Sequence, residues 1–129
     1  MSKTAQDLTI EELRSYRPWL NFERYQKDPE VAKRMERAWE VARTAARLLK
    51  THYGATRVVA FGSLVHKTLF TPWSDVDLAA SGLPPEDYYN AAGAAMDLGL
   101  ELGIKVDVVD TEDCSPDFLE DIKKEGIEL

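Results

Sequence analysis

Arg57-Val58-Val59-Ala60-Phe61-Gly62-Ser63 is the stretch from which the rest of the chain can be read. Four of its residues are apolar and two of those are β-branched, the run is too short for a helix, and Gly54 and Gly62 bound it. That pattern predicts a central β-strand. Gly62-Ser63 then falls where the strand gives way to a turn, with backbone N–H groups to offer and a glycine that admits close approach. Such a place suits a phosphate. Taken alone, the dipeptide is a turn and no more.

Downstream, two further strands are expected at Asp75-Val76-Asp77-Leu78-Ala79-Ala80 and Lys105-Val106-Asp107-Val108-Val109, both alternating polar and apolar at their starts. Between them the spacing predicts a helix from about Pro85 to Leu102, stopped by Gly103. Upstream the pattern is cleaner. Asp28 is placed as an N-cap and Pro29 at the first helical position, and Val31, Met35, Ala38, Ala42, Ala45, Leu49 and Tyr53 recur at spacings of three and four until Gly54. The opposite face carries Lys33, Arg34, Arg37, Arg43 and Arg47, which reads either as a solvated face or as a docking surface. Before this helix, Thr9 with Glu12 forms a capping box, and Pro18 interrupts the short helical piece that the box would start. A short helix over about Pro116–Lys124 closes the chain. With no internal repeat or linker, these elements make one α/β layer architecture. Residues 1–54 are expected as a helical extension packed on a core of residues 55–129.

The carboxylates carry the chemistry. Asp75 and Asp77, two apart on one strand, leave on the same face, while Val76 and Leu78 enter the core. Two carboxylates on one face repel, which is tolerated at a solvated strand end or where a hard divalent cation takes oxygens from both and from substrate phosphates. Asp107, between Val106 and Val108, is costly in a strand interior unless it has a partner or a metal.

Composition narrows the classes. The 129 residues carry a net charge of −7 and a single cysteine, Cys114, which cannot close an intramolecular disulfide. No apolar run approaches the ~20 residues of a membrane span. These features predict a soluble, cytoplasmic protein without membrane association. Residues 1–50 hold 11 Lys and Arg against 8 Asp and Glu, whereas residues 51–129 hold 5 against 15, or net +3 and −10. The acidic half repels phosphate backbones, so non-specific nucleic-acid binding is not expected there, and phosphate handling would need a cation.

Phe61-Gly62-Ser63, Ser74-Asp75-Val76-Asp77-Leu78 and Val106-Asp107-Val108 together resemble the nucleotidyltransferase (polymerase β-like) superfamily, most of all its minimal bacterial members. The resemblance spans about residues 56–127, including Lys123-Lys124-Glu125-Gly126-Ile127. It implies a nucleotidyltransferase fold, with a small mixed sheet flanked by helices. It also implies that Gly62 and Ser63 hold the β- and γ-phosphates of ATP or another nucleoside triphosphate, and that Asp75 and Asp77 ligate Mg²⁺ or Mn²⁺. Asp107 would complete a second metal site or help deprotonate the acceptor. The sequence departs from the family in Leu64–Trp73, where small members are Arg-rich and only His66 and Lys67 offer positive charge here. His66 reads as a surface residue and Trp73 as a packing one, and Cys114 reads as incidental.

For partners, the resemblance implies an antitoxin that adds AMP to a helical HEPN-type toxin encoded beside it. Two alternatives stay open: a small-molecule (aminoglycoside-like) nucleotidyltransferase, or a non-catalytic nucleotide-binding module that neutralises its partner by contact. A homodimer is also left open.

Overall fold

The computed structural model describes residues 22–129, so the Thr9–Glu12 capping box and Pro18 lie outside the described residues. A short helix, α1 (Phe22–Gln26), leads into α2 (Pro29–Tyr53). Asp28 Oδ1 accepts from the Glu30 N–H at 2.9 Å, satisfying one of the donors that a helix start leaves orphaned. At the other end Gly54, with φ 77°, donates its N–H to the Leu49 carbonyl. Both ends are therefore set by local chemistry, as the sequence predicts.

β1 occupies Arg57–Phe61, the expected bounds. β2 runs Val76–Ser81 and β3 Val106–Asp110, each one residue later than expected. The shift has a physical cause: the Val76 N–H donates to the Lys105 carbonyl at 2.9 Å. Asp75 and Lys105 consequently stand at the strand mouths. The helix expected from Pro85 begins as a 3-10 turn over Pro85–Asp87 and becomes α-helical as α3 (Tyr88–Glu101). α4 (Pro116–Glu125) starts on Ser115, whose Oγ accepts from the Phe118 N–H at 3.2 Å. A two-residue strand, β4 (Ile127–Glu128), has no counterpart in the sequence pattern.

The sheet has the order β3-β2-β1-β4, mixed in direction. β1 is antiparallel to β2 and to β4, and β2 is parallel to β3, with α3 supplying the crossover that a parallel pair requires. On one face, Val58, Ala60, Val76, Leu78, Ala80, Val106 and Val108 are buried. They share one core with Val31, Ala38, Val41, Ala42, Ala45 and Leu49 of α2 and Ala91 and Ala95 of α3. Alanines at the contact bring the α2 backbone close to the strands. Val41 and Ala46 are buried beyond the expected stripe, because α2 packs on α3 as well as on β1 and β2.

The opposite face of the sheet is covered only in part. α4 lies over β1 there, Phe118 meeting Phe61 edge to face with ring centroids 5.5 Å apart. The first residues of β2 and β3 on that face are Asp77 and Asp107.

Candidate active site

The strand register brings the sequence-predicted residues into one row. Phe61 pairs with Asp77, and Asp77 pairs with Asp107 on the parallel neighbour. Gly62 and Ser63 continue directly from Phe61 into a 3-10 turn (Gly62–Leu64), so the turn and both strand carboxylates lie at the same end of the sheet. Asp75 sits just before β2 and acts on Asp77 electrostatically.

Gly62 is required twice over. Its φ is 77°, a conformation that L side chains resist, and a Cβ built on it would lie 2.6 Å from Asp77 Oδ2. The turn thus backs directly onto the carboxylate. Within the turn the Gly62 carbonyl accepts from the N–H groups of Val65 and His66 at 3.1 and 3.2 Å.

The Asp77 carboxyl is pushed up to about 6, first by burial and then by the negative charges of Asp107 and Asp75, with Lys105 opposing. Lys105 Nζ lies 3.8 Å from Asp107 Oδ1, a partner that sequence reasoning did not assign. Its position two residues before Asp107 on the same strand edge was the available signal. Crowded carboxylates that raise one another's proton affinity are under-neutralised by the chain itself. That donor set fits a hard divalent cation, which takes oxygen ligands and is commonly held by one or two carboxylates plus substrate phosphates. Among the described residues no group of three or more His, Cys, Asp or Glu side chains is placed to hold a metal ion by itself, so the cation would take its remaining oxygens from substrate or water.

A second stabilising contact comes from the helix face read as solvated or docking. Arg34 Nη2 donates to the Ser74 carbonyl at 3.0 Å, and Nη1 to the Gly103 carbonyl at 3.3 Å. One guanidinium therefore ties down both the residue before Asp75 and the turn before β3. His66 is not a lone surface residue either: its Nε2 lies 2.7 Å from Glu125 Oε2, linking the segment after Gly62-Ser63 to the end of α4. Trp73 is 70% exposed, and the packing expected of it is limited to an edge-on contact with Tyr25, ring centroids 6.2 Å apart.

The Polymerase beta, Nucleotidyltransferase family model matches residues 44–129, two-thirds of the chain. The chain belongs to this nucleotidyltransferase family. The match begins inside α2, so the last turns of that helix count with the family domain. The mixed four-stranded sheet and its helices are those of a nucleotidyltransferase fold.

Solved structures resemble this nucleotidyltransferase at the level of fold. One is a mutant of the toxin-antitoxin MntA-HpeT with two aspartates changed to glutamate, 19% identical, TM-score 0.53, covering 67% of this chain and 70% of that one. Another is a toxin-antitoxin structure with AMP-PNP, 23% identical, TM-score 0.52, covering 64% and 66%. A third is an MntA-HpeT mutant with a tyrosine changed to alanine, 23% identical, TM-score 0.52, covering 67% and 69%. No match to this chain is found among curated proteins. Among the described residues no helix is long and apolar enough to cross a membrane.

Proposed function

We propose that this nucleotidyltransferase transfers AMP from ATP to a hydroxyl on a partner protein, as the antitoxin half of a toxin-antitoxin pair with a helical HEPN-type toxin. The observation that carries the reading is the register of Asp77 beside Asp107, with Gly62 backed onto Asp77. The likeness to toxin-antitoxin structures, one of them with AMP-PNP, supports the choice of nucleotide and partner.

In this reading Gly62 and Ser63 hold the β- and γ-phosphates, and Asp75 and Asp77 hold Mg²⁺ or Mn²⁺. Asp107 completes a second metal site or accepts the acceptor proton. The divalent cation, when bound, offsets the negative charge that gathers on the phosphates. The acceptor oxygen attacks the α-phosphorus, its proton passing to the Asp107 carboxylate or to solvent. The bond from the α-phosphorus to the bridging oxygen breaks, and pyrophosphate leaves with the electron pair. Transfer of this kind needs positioning and charge rather than a protein nucleophile, so neither His66 nor Cys114 is required. In the same reading residues 55–129 carry the catalytic machinery, and α2, from the segment before them, packs on it.

The experiment is intact-mass spectrometry of the adjoining gene's product after incubation with this protein, ATP and Mg²⁺. An AMP adduct that Asp107→Asn reduces by at least ~10²-fold supports the assignment. Suppression of the partner's activity with no adduct would favour a second reading, a nucleotide-stabilised binding module. One observation favours that alternative: His66, a cationic candidate beside the phosphate turn, is already engaged by Glu125.

A further inference from the structure

At the carboxylate end of the sheet two neighbouring strands open with related but unequal patterns, Asp75-Val76-Asp77 into β2 and Lys105-Val106-Asp107 into β3. Val76 pairs with Val106 and Asp77 with Asp107, and Asp75 and Lys105 each stand one residue before that ladder. Residues two apart on a strand share a face. The two strand mouths therefore bring three carboxylates and one ammonium to one small area, with Lys105 where a second aspartate would have repeated the β2 pattern.

The ammonium is engaged with the row. Lys105 Nζ lies 3.8 Å from Asp107 Oδ1, and Lys105 is the cation that opposes the action of Asp107 and Asp75 on Asp77. Its backbone is pinned. The Lys105 carbonyl accepts from the Val76 N–H at 2.9 Å, and the Ile104 N–H donates to the Gly99 carbonyl at 2.9 Å. Ile104 is fully buried, and a Cβ built on Gly99 would lie 2.2 Å from the Ile104 carbonyl oxygen. α3 thus closes on the residue before Lys105, and the flexible lysine stem starts from a fixed point.

Charge then limits what else the site takes up. Three carboxylates less one ammonium leave two negative charges, which one divalent cation matches. Asp75 and Asp77, from one strand, make the pair that such a cation shares with substrate phosphates. A second divalent cation at Asp107 would stand beside the Lys105 ammonium, and at about 5 Å in water that repulsion alone weakens its binding roughly tenfold.

Resting on the nucleotidyl-transfer reading above, we infer that Lys105 stands in for a second divalent cation, so that the site loads one, at Asp75 and Asp77, and Asp107 works beside Lys105 as the proton acceptor. As the acceptor oxygen bonds to the α-phosphorus, its proton passes to the Asp107 carboxylate, and pyrophosphate leaves with the electron pair of the broken P–O bond. The Lys105 ammonium has three donors, one for the Asp107 carboxylate and others free for a phosphate oxygen.

The test counts Mn²⁺ on the full chain by electron paramagnetic resonance, at saturating α,β-methylene-ATP, an analogue that cannot release pyrophosphate. Wild type and Lys105→Arg should each hold one tight Mn²⁺ per bound nucleotide. Lys105→Met should hold two, the second at least ~10-fold tighter than any further ion that wild type takes up. Asp107→Asn should leave the count at one, and it carries the test if Lys105→Met does not fold, because a two-cation site would drop from two to one. Two ions of like affinity in wild type or in Lys105→Arg, a single ion in folded Lys105→Met, or a count lowered by Asp107→Asn would overturn the inference. If wild type binds no nucleotide, with or without Mn²⁺, it is the nucleotidyl-transfer reading that falls, and the role of Lys105 falls with it.

Discussion

Asp77 and Asp107 are register partners on adjacent parallel strands, so two carboxylates share one face at the end of the sheet where the Gly62-Ser63 turn begins. Burial and the charges of Asp107 and Asp75 push the Asp77 carboxyl from 3.8 up to about 6. The folded state therefore holds this proton more tightly than the unfolded chain, and the stabilisation it gives is complete below about 4 and lost as pH rises through about 6. At neutral pH without metal, Asp77→Asn should raise the melting temperature by a few degrees, about 1–2 kcal/mol after discounting for partial exposure. The gain should shrink toward pH 4, as thermal unfolding of both proteins across pH 4–8 would show. A variant less stable than wild type at pH 7.5 would contradict the charge crowding.

Gly62 and Gly103 make a controlled pair. Both have positive φ, 77° and 75°, but a Cβ at Gly103 meets nothing within 4 Å, whereas one at Gly62 lies 2.6 Å from Asp77 Oδ2. Gly103→Ala should cost only the left-handed backbone term, about 1–2 kcal/mol. Gly62→Ala should cost more and also weaken nucleotide binding, as urea titration and ATP calorimetry on the two variants would reveal.

Arg34 should be irreplaceable by lysine. Its two Nη groups reach the carbonyls of Ser74 and Gly103, and a single ammonium cannot span both. Arg34→Lys and Arg34→Ala are each expected to destabilise by about 1–3 kcal/mol and to loosen the approach to Asp75. Denaturant melts give the first number, and amide exchange at residues 74–77 gives the second.

Deleting residues 1–54 should leave an insoluble or molten product. That cut removes Val41, Ala42, Ala45 and Leu49, all fully buried, and uncovers the strands beneath them. A soluble fragment 55–129 with a cooperative melt would instead make the N-terminal segment an independent docking arm.

The legible parts of this structure are those set by neighbours in sequence. Asp28, Pro29 and Gly54 bracket α2 because caps act within a turn, and β1 is bounded by its glycines. Val76 and Leu78 point inward and Asp77 outward because strand alternation is a local rule. What escaped was long-range. β4 is two residues that form a strand only because Val59 and Ala60 offer a free edge to Glu128 and Ile127. Arg34 reads as one charge among several on a helix face, since its two carbonyl partners lie 40 and 69 residues away. Glu125 meets His66 only once α4 has packed.

Under the proposed function, the carboxylates at the strand ends and the Gly62 turn make one nucleotide site that depends on a divalent cation. The decisive measurement is calorimetric titration of ATP into the full chain, with Mg²⁺ and again with EDTA, alongside the same titrations of Asp77→Asn. Binding with Mg²⁺ that disappears both in EDTA and in Asp77→Asn is the predicted result. Equal affinity with and without the cation, or undiminished binding by Asp77→Asn, would contradict it.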